Sequence, residues 1–253
     1  MKHLLAVIIG SIFTLGYPLP AMGQNPDPMP QPSLPEESRE NQLVRMMAED
    51  SLLTKNVLNF CGQYIDLNSR ERQRKLQREL NSLSKISSIL LQRANFYFPI
   101  VEDILQKHQI PEDFKYLMVI ESGMNPEARS NMGAVGLWQF MKGTAKDYGL
   151  RVDQKLDERF NIEKSTHAAC RYLKDAHQKF GDWVATAQSY NIGQARIGNE
   201  LNKQQVEEAI DLNLVEETNR YIYRILAAKI IFTRPENFGL NEGLLYYKKI
   251  RRR

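Results

Sequence analysis

Glu121 stands in an unusual position for a charged residue. In the stretch PEDFKYLMVIESG, helical periodicity places Phe114, Leu117 and Glu121 on one face, because the two apolar residues precede the glutamate by seven and four positions. Pro111 suits the first turn of a helix, and Gly123 suits its end. The spacing therefore predicts a helix whose apolar stripe finishes in a carboxyl group.

A carboxyl group on an apolar face can be a general acid or a structural group. Burial of an unpaired charge costs several kcal/mol, and protonation relieves that cost, so the pKa of Glu121 is expected to rise. A carboxyl group that keeps its proton near neutral pH is what a general acid needs. By itself, this pattern more often belongs to a glutamate that pairs with a nearby arginine or caps the helix than to a catalytic acid.

The remaining candidate ligands and nucleophiles are scattered. The histidines form no HExxH motif or similar set, and neither cysteine shows metal-ligand spacing. Cys61 and Cys170 lie in apolar helical patterns, so a disulfide and two buried free thiols are both open. We expect no metal and no cofactor, and we assign no role to His3, His108, His167 or His177.

The elements that must position Glu121 are predicted to be helical. From Leu43 onward, apolar residues recur at three- and four-residue intervals, without a convincing run of period-two alternation. This pattern predicts an all-α fold. Charged amphipathic helices are predicted at 41–66 and 70–93, and a further helix at 94–109 precedes Pro111.

Composition and charge exclude several classes of protein. The chain has 253 residues, of which 42% are hydrophobic and 25% charged, which excludes collagen, coiled coil and wholesale disorder. Its 34 basic and 30 acidic residues give a net charge of +4. This near balance argues against nucleic-acid binding, which needs concentrated positive charge.

The N-terminus has the features of an export signal. Residues 1–23 combine a short charged start, an apolar run and an A-x-G arrangement before Gln24, which predicts a cleaved signal peptide; an uncleaved membrane anchor is the alternative. No cysteine lies near the cleavage point, which disfavours lipid anchoring. Residues 24–40 carry five prolines and predict a disordered spacer.

Four motifs occur in order from Glu121 onward. They are ESGMNPEARS, which begins with Glu121, then GAVGLWQFMKG, then SYNIG, and then EETNRYIYRIL. This order resembles the catalytic domain of the lytic murein transglycosylases, and the Trp-Gln-Phe variant resembles most the membrane-bound lytic murein transglycosylase D branch, within glycoside hydrolase family 23. The resemblance implies a lysozyme-like helical domain at 93–240, preceded by an N-terminal helical extension at 41–92.

The resemblance implies a substrate and a reaction. The substrate is the glycan of bacterial peptidoglycan, and the reaction is non-hydrolytic cleavage to 1,6-anhydromuramoyl ends, with Glu121 as acid and then as base. A hydrolytic muramidase of the goose-lysozyme type, with Asp153 or Asp157 positioning water, is one alternative. A non-catalytic peptidoglycan-binding protein is another. The predicted location is the periplasm or cell envelope.

The resemblance also implies the residues that bind substrate. Ser130 matches a serine that contacts muramic acid. Gln139 is expected to hold Glu121 or an acetamido oxygen, and the Tyr190 hydroxyl is expected to reach the Glu121 carboxyl group. The full predicted set comprises Ser130, Gln139, Met141, Tyr190, Asn191, Glu217 and Tyr221. Trp138 is expected to be a core aromatic residue.

Two features depart from the resemblance. Ser189 stands where the family commonly has alanine. The D branch often carries wall-binding LysM modules after this domain, whereas residues 241–253 form a basic tail here, so wall affinity is expected to come from the catalytic groove or from a partner. The tail could contact the membrane or cell-wall machinery peripherally. We expect a monomer.

Overall fold

A computed structural model describes residues 56–240. The predicted signal peptide, the proline-rich spacer and the basic tail lie outside the described residues, as does the start of the predicted helix 41–66. The later part of that helix prediction is wrong, because β1 (Val57–Phe60) and β2 (Gln63–Asp66) form an antiparallel hairpin that pairs Val57 with Asp66.

Helices form the rest of the described chain. In residues 56–240 they are α1 (Arg70–Ser84), α2 (Ser87–Lys107), α3 (Lys115–Ser122), α4 (Lys142–Asp147), α5 (Ile162–Phe180), α6 (Trp183–Ile192), α7 (Gln194–Gln204) and α8 (Glu216–Thr233). Short 3₁₀ turns stand at Glu112–Phe114, Glu158–Phe160, Ala209–Asp211 and Pro235–Phe238. None of these helices has both the length and the hydrophobicity needed to span a bilayer.

The helix predicted at 70–93 is two helices. Ser69 caps α1, because its side chain accepts a hydrogen bond from the Arg72 amide. The helix ends after Ser84, where the Ser87 hydroxyl donates a hydrogen bond to the Ser84 carbonyl. A serine side chain that bonds to a backbone carbonyl in this way competes with continuation of the helix. The predicted domain boundary at 92/93 falls inside α2.

The short helix α3 is the centre of the fold. Seven of its eight residues are buried, and Glu121 is the exception. It packs between α2 and α8. Gly123 ends it in the left-handed conformation, at φ 59°, where glycine carries no steric penalty. A helix buried on nearly every side is held by its neighbours, so the position of Glu121 is fixed by packing.

Helix α6 is also surrounded. Asp182 caps it by accepting a hydrogen bond from the Ala185 amide at 2.6 Å, and residues 184–192 are all buried. It packs against α5, α7 and α8.

Both cysteines are free thiols: Cys61 is half-buried in the hairpin turn, and Cys170 is buried in α5.

Candidate active site

Glu121 occupies the end of α3 with its side chain partly exposed. Burial raises the pKa of its carboxyl group to about 7, while the hydrogen bond from Tyr221 and the positive charge of Arg224 lower the pKa, and the charge of Glu217 raises it. Desolvation is the largest of these effects. The expectation of a raised pKa is therefore confirmed, and partial exposure leaves the acid accessible to a substrate.

The partner of Glu121 is Tyr221. Its hydroxyl group donates a hydrogen bond to Oε1 of Glu121 across 2.5 Å, from a side chain that is 3% exposed. Burial and the neighbouring carboxylate raise the pKa of Tyr221 well above its ordinary value. The tyrosine therefore stays protonated at neutral pH and can only donate to the carboxylate.

Tyr190 does not fill the position predicted for it. Its hydroxyl group donates to the backbone carbonyl of Trp138 at 2.9 Å, and no hydrogen bond links it to Glu121 in the described residues. It is nevertheless close, because the charge of Glu121 contributes to raising the pKa of Tyr190. Trp138 is fully buried, and its indole donates to the Thr166 hydroxyl at 2.9 Å, which confirms a core position.

Gln139 is likewise occupied elsewhere. Its Nε2 donates to the carbonyls of Gly136 at 2.8 Å and Ala128 at 3.3 Å, and within residues 56–240 it makes no hydrogen bond to Glu121. Its backbone has a positive φ of 48°. The side chain thus closes the turn that contains it, and of its two predicted contacts, Glu121 or an acetamido oxygen, the one with Glu121 is not made in residues 56–240.

The loop before Gln139 is tightly folded. The Ser130 hydroxyl accepts a hydrogen bond from the Ala134 amide at 2.9 Å, which leaves the hydroxyl proton available to a ligand. Gly136 has φ 81°, and a Cβ there would lie 2.2 Å from the Arg159 carbonyl oxygen. Only glycine fits such an approach. The half-buried Met141 follows this loop as the first residue before α4.

The start of α8 is joined to the end of α6. The Thr218 hydroxyl donates to Oδ1 of Asn191 at 2.7 Å, and both side chains are buried. This contact helps fix Glu217, which is half-buried and close enough to raise the pKa of Glu121 by its charge. The structure therefore brings Glu121, Glu217 and Tyr221 together.

Arg224 is a site residue that the sequence analysis missed. Its half-buried guanidinium interacts electrostatically with Glu121 and Tyr221, and burial lowers its pKa. The signal was available, because residues 217, 221 and 224 are separated by four and three positions and share one helical face. Any α8 position on that face would be directed towards the same neighbour.

The predicted water-positioning aspartates are engaged in ion pairs. Asp153 pairs with Arg151, which together with backbone amides lowers the pKa of Asp153 to about 2. Asp157 accepts two hydrogen bonds from the Arg159 guanidinium, and these lower its pKa. Among residues 56–240, no group of three or more histidine, cysteine or acidic side chains is arranged to hold a metal ion.

The comparisons with known proteins agree with this architecture. Residues 99–213 match the model of the transglycosylase SLT domain. Membrane-bound lytic murein transglycosylase D of Escherichia coli (strain K12) is 29% identical over 178 residues, covering 68% of this chain and 39% of that protein. Peptidoglycan transglycosylase gp16 of Escherichia phage T7 is 44% identical over 81 residues, covering 31% of this chain and 6% of that protein.

The chain thus spans about two fifths of the first relative and a small part of the second. A solved complex of the 70-kDa soluble lytic transglycosylase with bulgecin A superposes at a TM-score of 0.51 and 18% identity, covering 84% of this chain and 38% of that one. Glu217 and Tyr221 lie beyond the matched range 99–213. Residues 99–213 are thus similar to the transglycosylase SLT domain, and the lysozyme-like fold of residues 56–240 is helical apart from one hairpin.

Proposed function

We propose that this protein is a lytic transglycosylase that cleaves the β-1,4 bond between N-acetylmuramic acid and N-acetylglucosamine in peptidoglycan. One observation carries the proposal. Glu121 is a partly exposed carboxyl group whose pKa burial raises to about 7, and the buried Tyr221 donates to it. Such a group is protonated often enough to act as an acid near neutral pH, and a carboxylate with a pKa of about 7 is basic enough to take a proton in the next step.

The reaction uses one carboxyl group twice. Glu121 gives its proton to the glycosidic oxygen, the bond from that oxygen to C1 of muramic acid breaks, and C1 becomes oxocarbenium-like. The C6 hydroxyl of the same sugar then bonds to C1 while its proton passes to the Glu121 carboxylate. The products are a 1,6-anhydromuramoyl end and a free N-acetylglucosamine end, and the enzyme regains its proton.

A single carboxyl group suffices because the nucleophile belongs to the substrate. Ordinary glycosidases need a second carboxylate to attack the sugar or to activate water. An intramolecular hydroxyl has a high effective molarity and outcompetes water when the ring is held in a reactive shape. We propose that the sugar ring is held by side chains of the substrate groove, namely Ser130, Met141, Asn191 and Glu217. The side chains of Gln139, Tyr190 and Tyr221 support the groove.

The test is digestion of purified peptidoglycan sacculi, followed by mass spectrometry of the products. The wild type is expected to release anhydromuramoyl ends, and Glu121→Gln is expected to lose at least about a thousandfold in rate, since it lacks the proton. Glu163→Gln, an exposed glutamate at the start of α5, is the matched control. A wild type that releases no anhydro ends contradicts the proposal.

The same digest separates the alternatives. A hydrolytic muramidase gives reducing ends that are one water heavier, and a binding protein retains the glycan without cutting it. Asp153 is paired with Arg151 and Asp157 with Arg159, which weakens the case for either aspartate as the residue that positions water and so supports the lytic reaction. Glu217, whose charge raises the pKa of Glu121, is assigned to sugar binding in this proposal.

We place the protein in the cell envelope, where peptidoglycan is found. The relatives include murein transglycosylases named as membrane-bound and as soluble. The predicted signal peptide supports export to the periplasm, with the processed chain acting as a monomer. Cell fractionation and N-terminal sequencing of the processed chain check this, and a start at Gln24 is expected.

A further inference from the structure

An ion pair joins the segment that begins α3 to the last turns of α8. Oδ2 of Asp113 accepts a hydrogen bond from Nζ of Lys229 at 2.7 Å, and the two side chains are 16% and 22% exposed. Asp113 belongs to the 3₁₀ turn that leads into α3, and Lys229 lies in the second half of α8. The reaction proposed above gives neither residue a chemical step.

The hairpin contacts both members of this ion pair. Nζ of Lys229 also donates to the Asn59 carbonyl at 2.6 Å, and Oδ2 of Asp113 also accepts a hydrogen bond from the Cys61 amide at 2.8 Å. Hydrogen bonds to charged groups are shorter and stronger than those between neutral groups. The ion pair therefore holds the hairpin, the start of α3 and the end of α8 in one arrangement.

The ion pair and the hydrogen bond between Glu121 and Tyr221 are the two ends of one antiparallel contact. Asp113 precedes Glu121 by eight residues, and Lys229 follows Tyr221 by eight residues. Eight residues of α-helix rise about 12 Å, and positions eight apart lie on one stripe of a helix. The two polar contacts therefore fix α3 against α8 over equal lengths of chain.

Sliding of α3 along α8 is the movement that these two contacts oppose. Apolar packing has no preferred direction, and packed helices can slide past each other by small amounts. The Tyr221 hydroxyl donates to Glu121 across 2.5 Å. A displacement of a fraction of the rise per residue, which is about 1.5 Å, changes both the length and the angle of that hydrogen bond.

We propose that Asp113 and Lys229 are a positioning pair, whose ion pair fixes α3 along α8 and so keeps the Tyr221 hydroxyl directed at Glu121. The inference rests on the proposed function for its activity assay alone, because the titration of Glu121 needs no catalysis. When the ion pair breaks, the hydrogen bond that lowers the pKa of Glu121 weakens, and that pKa rises.

Other charged and titratable groups surround Glu121. From α8, the charge of Arg224 lowers the pKa of Glu121 and the charge of Glu217 raises it. From α6, Tyr190 is close enough for the charge of Glu121 to raise the pKa of that tyrosine. From α2, the Arg93 guanidinium donates to the backbone carbonyl at the end of α3, at 2.8 Å. A test of the positioning pair must therefore separate movement from a direct effect of charge.

The sign of the pKa change makes that separation. Lys229→Met removes a positive charge and Asp113→Ala removes a negative one, so direct charge effects move the pKa of Glu121 in opposite directions. Loss of positioning raises the pKa of Glu121 in both variants. The two substitutions thus break one ion pair from its two sides and give different signs only if charge acts directly.

Titration of Glu121 by NMR measures this sign. The side-chain carboxyl carbon is followed between about pH 4 and pH 9 in the wild type and in both variants, and urea unfolding establishes that each variant is folded. We expect the pKa of Glu121 to rise in both, by part of the rise that Tyr221→Phe produces. A fall in Asp113→Ala, or no change in that variant, overturns the inference. If Lys229→Met does not fold, Asp113→Ala decides alone.

A double variant shows whether the effect passes through Tyr221. In the Tyr221→Phe background, Lys229→Met should produce no further rise, whereas a direct effect of charge persists there. Lys75→Met is the matched control, because Lys75 is 32% exposed and pairs with Glu71 at 2.7 Å within the single helix α1. It should leave the pKa of Glu121 in place. Additive rises in the double variant, or an equal rise in the control, overturn the inference.

Activity on purified glycan strands measures the consequence for catalysis. Lys229→Met and Asp113→Ala are each expected to lower kcat roughly tenfold with little change in KM, because the acid is misplaced while no contact with the substrate is removed. A higher KM with unchanged kcat overturns the inference. A wild type that cleaves no glycan, while both variants raise the pKa of Glu121, overturns the proposed function and leaves the positioning pair standing.

Discussion

The Tyr221 hydroxyl group donates a hydrogen bond of 2.5 Å to Oε1 of Glu121, although the two residues stand 100 positions apart in the chain. The contact joins the end of α3 to the first half of α8. It stabilises the carboxylate, while burial favours the protonated form, and burial has the larger effect. The resulting pKa of about 7 lets Glu121 exist in both forms near neutral pH.

Replacement of Tyr221 by phenylalanine should move the pH profile of cleavage. The hydroxyl group lowers the pKa of Glu121, so its loss raises that pKa, and the acid keeps its proton to higher pH. The alkaline limb of kcat/KM is expected to shift upward, while kcat falls roughly ten- to hundredfold because a hydrogen bond to a charged group is lost. Rate measurements from pH 5 to pH 9 check this, and an alkaline limb that stays or moves down contradicts it.

Tyr190→Phe should behave differently. Its hydroxyl group bonds the buried Trp138 carbonyl, so the variant leaves that carbonyl without its donor at a cost of about 1–3 kcal/mol in the free energy of unfolding. Because Tyr190 makes no hydrogen bond to Glu121 in the described residues, the alkaline limb should keep its position. Urea unfolding and the same pH series measure both effects. A shift of the limb comparable to that of Tyr221→Phe would show that Tyr190 acts on the acid directly.

Arg224 should act on Glu121 through its charge. Its positive charge lowers the pKa of Glu121, so Arg224→Gln is expected to raise that pKa and move the alkaline limb upward, whereas Arg224→Lys keeps the charge and should restore most of the wild-type profile. The exposed Lys203→Gln carries the same change of net charge and should leave the profile in place. If Arg224→Gln and Arg224→Lys shift the alkaline limb of the pH profile equally, the shape of the arginine side chain, and not its charge, is the cause.

The sequence was sufficient to predict those features of the fold and site that depend on local periodicity. The spacing of Phe114, Leu117 and Glu121 predicted a carboxyl group on an apolar face, and burial of that group raises its pKa. Gly123 ended the helix as expected. Each of these features depends on residues within three turns of one another.

The sequence was insufficient to predict features that depend on contacts between residues far apart in the chain. The strands of the hairpin have four residues each, too short for a clear alternation, and they are held by remote groups: Lys229 donates to the Asn59 carbonyl, and Phe60 packs against Phe114. Tyr190 and Tyr221 are chemically alike. Which of them reaches Glu121 depends on the relative placement of α6 and α8, which no local pattern encodes.

The raised pKa of Glu121 also predicts how stability depends on pH. Below about pH 4.5, the ordinary value, folded and unfolded chains both hold the proton. Between that pH and about 7 the unfolded chain loses it while the folded chain keeps it, so rising pH destabilises the fold, by up to ~3 kcal/mol above pH 7 at ~1.4 kcal/mol per unit.

Glu121→Gln removes this penalty, because the amide is neutral at every pH. The variant should therefore match the wild type at pH 4 and exceed its unfolding free energy by as much as ~3 kcal/mol at pH 8, while losing catalysis. Urea unfolding at the two pH values measures the difference, with Glu163→Gln as the exposed control that should show neither effect. A Glu121→Gln chain no more stable than the wild type at pH 8 would mean that burial does not disfavour this carboxylate, and the acid would then be ionised at neutral pH like any surface glutamate.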